Sequence, residues 1–139
     1  ILKKELIIIP IFGWYLKKMG CISIDRNKIS KENLNFSSEV SKVIKNTNKT
    51  LIIFPQGTRK NFNDRSAFKK GFARIYNDLE IACLPVAINS GKVWPKNGRL
   101  ISNQHITVSI LNILNPGKEQ NKLATEVEQV IYKELDKIS

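Results

Sequence analysis

Apolar positions along the chain fall into two periods. Short, nearly continuous apolar runs occur at Leu6–Ile9, Cys21–Ile24, Leu51–Phe54 and Ala82–Ile88, the pattern of strands buried on both faces. His105–Leu111 alternates apolar and polar instead. Between these runs the spacing becomes helical. Pro10–Met19 predicts a short helix with Pro10 at its first position and Gly20 just past its end. Ser30 is placed to cap a helix with Glu32 in its first turn, continuing through Val40, Val43 and Ile44. Phe68, Phe72, Ile75 and Leu79 share one face of a helix over Phe68–Leu79, and Leu123, Val127, Ile131 and Leu135 share one face over Leu123–Ile138. Gly98 starts a polar turn and Asn115-Pro116-Gly117 makes another. Strands separated by helices imply parallel pairing with right-handed crossovers. The expected fold class is therefore α/β, a mostly parallel central sheet flanked by helices, with room for antiparallel pairing at the last strands. No internal linker interrupts the chain, so residues 1–139 read as a single domain.

Three of the strands end in polar clusters. Cys21–Ile24 runs into Asp25-Arg26, Leu51–Phe54 into Pro55-Gln56-Gly57-Thr58-Arg59, and Ala82–Ile88 into Asn89-Ser90-Gly91. The C-terminal ends of parallel strands share one edge of a sheet, and ligands bind there. That edge would gather Arg26, Arg59, Thr58, Asn89 and Ser90. Arginine presents a planar fork of donors matched to phosphate oxygens. Thr58 and Ser90 add hydroxyls, while Gly57 and Gly91 permit sharp turns and close backbone approach. The expected ligand is a phosphate monoester or a similar anion.

Composition sharpens this picture in one respect. Of 139 residues, 42% are hydrophobic and 25% charged, ordinary for a folded domain. The sign balance is not ordinary: 23 Lys and Arg against 12 Asp and Glu leave +11. Such a surface attracts nucleic acid, anionic lipid or phosphorylated substrates. No helix-turn-helix, zinc, RRM or KH signature accompanies the charge, which argues against a nucleic-acid partner. The two cysteines, Cys21 and Cys83, lie in apolar runs and read as buried free thiols. The longest apolar stretch, Leu6–Leu16, is broken by Pro10 and Gly13 and falls short of the ~20 residues that span a bilayer. Trp14 and Tyr15 beside Lys17 and Lys18 suit a helix that lies on an anionic lipid surface instead. The chain opens on Ile1, inside structured-looking sequence, and is expected to lack an N-terminal part.

These residues carry a family resemblance. Gly20-Cys21-Ile22-Ser23-Ile24-Asp25-Arg26 resembles the second of four blocks that mark the PlsC-type glycerolipid acyltransferases. Phe54-Pro55-Gln56-Gly57-Thr58-Arg59 resembles the third, which in the family reads Phe-Pro-Glu-Gly-Thr-Arg, and Leu84-Pro85-Val86-Ala87 with Asn89-Ser90-Gly91 resembles the fourth. The flanks Lys3-Lys4-Glu5-Leu6, Ile9-Pro10-Ile11-Phe12-Gly13 and Phe68-Lys69-Lys70-Gly71 are similar as well. Two departures stand out. Gln56 replaces the family's Glu, keeping shape and hydrogen bonding but losing a charge. The first block, His followed by four residues and Asp, is absent. The single histidine, His105, lies after the fourth block with Ile110 five positions on, and reads as a strand or surface residue.

The resemblance implies acyl transfer from acyl-CoA or acyl-carrier protein to the 2-hydroxyl of 1-acyl-sn-glycerol-3-phosphate (lysophosphatidic acid), giving phosphatidic acid. It implies a substrate phosphate bound by Arg26, Gln56, Gly57, Thr58, Arg59 and Lys69, in a site shaped by Pro55, Pro85, Asn89, Ser90 and Gly91. The catalytic His-x4-Asp block is expected upstream of Ile1, so the chain alone is expected to be inactive. No metal or cofactor is implied beyond the acyl donor as co-substrate. The expected location is the cytoplasmic face of the bacterial inner membrane. The alternatives are a sister enzyme acting on glycerol-3-phosphate or an amino-lipid, and a non-catalytic basic module binding phospholipid or nucleic acid.

Overall fold

The computed structural model describes residues 2–24, 40–44 and 50–138. They fall into two compact units, residues 1–53 and 54–139. The Asp25-Arg26 pair and most of the helix expected after Ser30 lie outside the described residues. Of that helix residues 40–44 are described, and they are helical with Val40 fully buried.

In the first unit, β1 (Leu2–Lys3) pairs in parallel with β2 (Ser23–Ile24), Leu2 opposite Ser23 and Lys3 opposite Ile24. The run expected to be a strand at Leu6–Ile9 is instead a 3-10 helix, Lys4–Ile8, followed by α1 at Phe12–Lys18. The cause is close packing between the two. A Cβ on Gly13 would lie 1.9 Å from the Ile7 carbonyl oxygen, so α1 can fold back against the 3-10 turn only with glycine there. Ile11 turns the chain between them at φ 64, a left-handed conformation that a β-branched residue adopts only under constraint. The far end of α1 follows expectation. Gly20 takes φ 69 and donates to the Lys17 carbonyl, while Cys21 donates to that of Leu16. Together these bonds make a Schellman cap.

The second unit is built on a long helix. α2 (Gly71–Leu79) and α4 (Gln120–Lys137) pack together. α2 buries Phe72, Ala73, Ile75, Tyr76 and Leu79, and α4 buries Leu123, Ala124, Val127 and Leu135. This is the apolar stripe that the four-residue spacing predicts. Glu119 caps α4 by accepting from the Asn121 and Lys122 amides, and the first of these bonds holds its carboxyl below the usual range. β3 (Val86–Ile88) pairs antiparallel with β4 (Val108–Ile110), in register at Ala87 and Ser109, and packs on α4. Cys83 and Leu114 exchange a further pair of bonds at 2.9 and 2.8 Å. A four-residue helix, α3 (Ser90–Val93), leads out of β3.

Several expected boundaries move. The helix expected from Phe68 begins at Gly71, and the Phe68 amide ahead of it donates to the Glu128 carboxylate at 2.6 Å. The strand expected over Ala82–Ile88 shortens to Val86–Ile88, since Pro85 has no N–H to give a ladder. Leu51–Phe54 has no ladder partner among the described residues, although Ile52 and Phe54 are exposed and Leu51 and Ile53 half-buried, with a strand's alternation. The described strands thus pair as two separate two-stranded ladders, one parallel and one antiparallel. Both cysteines are free, and half-buried rather than buried. Burial pushes the Cys83 thiol above its usual pKa.

Leu123 is completely enclosed where α4 begins. Leu123→Ala is expected to lower the unfolding free energy by about 2–5 kcal/mol, read from the urea midpoint. Exposed Thr125, two residues on, is the control, and Thr125→Ala should shift it by about 0.5 kcal/mol or less.

Candidate phosphate-binding site

The site is built on residues 54–69 of the second unit. Gly57 donates to the Phe54 carbonyl at 3.0 Å and takes φ 71, closing a tight turn that favours glycine. The Lys69 amide donates to the Pro55 carbonyl at 2.9 Å, which brings the end of the segment back beside its start. The Lys69 side chain then lies over the turn. A Cβ on Gly57 would meet its Cδ at 3.0 Å, its Cε at 3.2 Å and its Nζ at 3.5 Å. Gly57 and Lys69 are twelve residues apart, and the bond from the Lys69 amide to the Pro55 carbonyl brings them together.

The same segment is fastened to α4. Gln56 lies near enough to the Tyr132 hydroxyl to pull its pKa down, and that hydroxyl donates to the Ser66 carbonyl at 2.6 Å. Burial pushes the Tyr132 phenol up, against the opposing pull of Gln56. Arg65 donates to the Phe62 carbonyl at 2.6 Å and to Asp136 at 2.7 Å, and its guanidinium lies over the rings of Tyr132 and Phe62. Phe68 meets Tyr132 edge to face at 5.0 Å. Asp64 accepts from the Ser66 amide, which holds its carboxyl below the usual range, and pairs with Lys60 at 3.3 Å.

Thr58 and Arg59 project from this frame and are exposed. The Arg59 guanidinium lies 5.2 Å from the centroid of the Trp94 ring, within cation–π range. Trp94 ends α3, the helix opened by Ser90 and Gly91. The structure therefore brings Gln56, Gly57 and Lys69 together and sets Arg59 against the segment that follows Asn89-Ser90-Gly91. Gly91 faces Phe62, with room for a Cβ at 3.8 Å. Arg26 lies outside the described residues. Pro85 is buried and its carbonyl accepts from the Leu111 amide at 3.0 Å, in line with a shaping role.

Asn89 does something other than face a ligand. It is 4% exposed, its amide nitrogen donates to the Ile138 carbonyl at 2.9 Å, and its oxygen accepts from the Thr107 amide at 2.7 Å. Both ends of the side chain are spent on backbone. His105 is exposed on the approach to β4. The sequence alone left Trp94, Arg65 and Tyr132 unmarked. Tyr132 stands one residue past Ile131 of the apolar row, and Trp94 three past Gly91 in an otherwise polar stretch, which were the available signals.

With this geometry in view, the kinship can be stated. Residues 1–89 match the family model described as Acyltransferase, and the chain belongs to that family. Among its relatives, a 1-acyl-sn-glycerol-3-phosphate acyltransferase of Pseudomonas aeruginosa is 32% identical over 98 residues, 70% of this chain and 38% of that protein. One of Streptococcus pneumoniae is 32% identical over 110 residues, 79% of this chain and 38% of that protein. The crystal structure of the 1-acyl-sn-glycerophosphate (LPA) acyltransferase PlsC from Thermotoga maritima shares the fold, with a TM-score of 0.79 at 24% identity over 99% of this chain and 55% of that one. The matched stretches cover 38% of each of the first two relatives, so this chain corresponds to only part of them. The family resemblance carried by the motifs is thus confirmed.

Asn89→Ala would leave the Ile138 carbonyl and the Thr107 amide without their partner. It is expected to cost about 1–3 kcal/mol for each group orphaned, measured by thermal denaturation.

Proposed function

We propose that the protein carrying this chain moves a fatty acyl group from acyl-CoA or acyl-carrier protein to the 2-hydroxyl of 1-acyl-sn-glycerol-3-phosphate, forming phosphatidic acid. The observation that carries this reading is the turn at Gly57 under the Lys69 side chain, with Thr58 and Arg59 exposed beside it. The names of the relatives support the same acceptor. In this reading Arg59 and Lys69 neutralise the acceptor's phosphate, and Thr58 and the turn's backbone add donors. Arg26, outside the described residues, is proposed as a further ligand of that phosphate, and the mostly parallel sheet expected from the sequence as the fold class.

The chemistry then follows from positioning. A base removes the proton of the 2-hydroxyl, and the oxygen attacks the thioester carbonyl. The tetrahedral intermediate expels the thiolate, which takes up the proton. In this reading the base is the histidine of the family's His-x4-Asp block, and no residue of this chain is assigned the role. A bound phosphate fixes the hydroxyl's distance from that base, which is how a binding residue far from the reacting atoms raises the rate.

The same reading places the protein on the cytoplasmic face of the bacterial inner membrane. Its support is α1, where Phe12, Trp14 and Tyr15 are exposed, Trp14 to 64%, next to Ile8, Ile9 and Ile11 and beside Lys17 and Lys18. Lys18 lies over the Trp14 ring at 4.8 Å. Aromatic and aliphatic side chains beside lysines suit the boundary between headgroups and acyl chains. Among the described residues no helix is long and apolar enough to cross a membrane.

Two measurements test these statements. In the complete enzyme Arg59→Ala is expected to lower kcat/KM for 1-acyl-sn-glycerol-3-phosphate about ten- to a hundredfold, the worth of a charged hydrogen bond. Arg59→Lys should recover little, since it keeps charge but loses the fork. Full activity in Arg59→Ala would remove the assignment, and equal turnover of glycerol-3-phosphate would favour the sister reaction. In sedimentation with vesicles, the protein is expected to pellet with anionic lipid and to stay in solution with neutral lipid. Trp14→Ser should weaken the pelleting, and indifference to vesicle charge would count against the surface role.

A further inference from the structure

We propose that Trp94 is a positioning residue for Arg59: its indole face holds the guanidinium so that the in-plane N–H groups point at the acceptor's phosphate. The proposal rests on the reading of Arg59 as a phosphate ligand and extends it to a residue outside the recognised blocks.

Trp94 is 56% exposed, so its indole is not serving as core. Yet its backbone is closely held. Its amide donates to the Ser90 carbonyl at 2.8 Å, and the preceding residue, Val93, is buried and accepts from the Ile101 amide at 2.9 Å. Pro95 follows, which keeps Trp94 out of the helical region, at φ −130 and ψ 83. α3 is fixed in turn by Asn89, whose side chain is locked on Ile138 and Thr107. An exposed aromatic face on a rigid mount is a platform, and what stands over it is Arg59, 5.2 Å from the ring centroid.

Contact with an aromatic ring also changes what a guanidinium can do. A free, exposed arginine carries large rotamer entropy that phosphate binding must remove. Stacking removes part of it beforehand. With its carbon 5.2 Å from the ring centroid, the guanidinium is held at the indole while the N–H groups on its far side can meet a ligand. Those groups are what a phosphate engages bidentately. Thr58 is the adjacent residue, and Lys69 lies over the turn at Gly57. The Asn89-Ser90-Gly91 block then acts on the acceptor at one remove: its part is to aim the platform that aims Arg59.

The test is a double-substitution cycle in the complete enzyme, with 1-oleoyl-sn-glycerol-3-phosphate as acceptor. Trp94→Ala is expected to raise the acceptor's KM about two- to fivefold, the worth of an exposed cation–π contact, with a smaller effect on kcat. Trp94→Phe, which keeps a π face, should restore part of the loss, and Trp94→Leu should not. Adding Trp94→Ala to Arg59→Ala should raise KM no further, because the two residues act as one unit. A second readout needs no catalysis. Trp14 and Trp94 are the two tryptophans of this chain, so with Trp14 and any tryptophan outside these 139 residues changed to Phe the emission reports Trp94 alone. It should change on Arg59→Ala without any ligand.

Each other outcome counts against the proposal. If Arg59→Ala raises KM and Trp94→Ala does not, the platform is wrong while the phosphate assignment stands. If neither raises KM, both fall. If Trp94→Ala, →Phe and →Leu are equally impaired, with lowered melting temperatures, Trp94 is a structural residue. If Trp94 emission is indifferent to Arg59, the stack does not exist in solution.

Discussion

The second unit depends on one buried side chain, the amide of Asn89. Few residues can donate and accept at opposite corners of one flat group. Asn89 uses both corners on backbone atoms far away in sequence: the Ile138 carbonyl at the end of α4 and the Thr107 amide leading into β4. Its own amide donates to the Thr107 carbonyl at 3.2 Å. The end of β3, the approach to β4 and the C-terminus of the long helix therefore meet at a single point. Everything that leaves this point, α3 and Trp94 first, inherits its direction. In the interior such a polar knot is stable only because each of its atoms is partnered.

Beside that knot, α4 serves two masters. Leu123, Val127 and Leu135 face the core. Glu128, Tyr132 and Asp136, again four apart, form a neighbouring row that grips the 54–69 segment at Phe68, Ser66 and Arg65. Residues four apart lie one above another on a helix, so one rod is both the floor of the core and the clamp of the site. Gln56 fits this arrangement chemically. Its side-chain amide can donate to the Tyr132 hydroxyl, which leaves the hydroxyl's own proton for Ser66. A carboxylate at position 56 would instead accept that proton and compete with Ser66. The loss of charge relative to the family motif thus comes with a use for the amide.

How much of this was legible in the sequence depends on whether the cause was local. The α4 stripe, the Gly20 cap and the turn at Gly57 were readable because periodicity and glycine chemistry act within a few residues. The 3-10 turn in place of a strand at Leu6–Ile9 was not, because it follows from how closely Gly13 lets two backbones approach. The start of α2 at Gly71 in place of Phe68 leaves no mark in the apolar spacing, which runs through both. Of the candidate site, the residue types were visible in the motifs. Their mounting was not: Asn89 read as a shaping residue with no sign of the distant backbone groups it ties, while Trp94 and Tyr132 looked like nothing in particular. Contacts between segments far apart leave no periodic trace.

The two rows of α4 have a consequence for how such a chain can change over generations. A substitution on either row alters one contact and can be offset elsewhere. A single-residue insertion or deletion early in the helix would turn everything after it by about 100°. The buried leucine and valine positions and the Glu128–Tyr132–Asp136 row would rotate together, and the core and the clamp would be lost in one event. The helix is therefore free to vary in letters and not in length between Leu123 and Asp136.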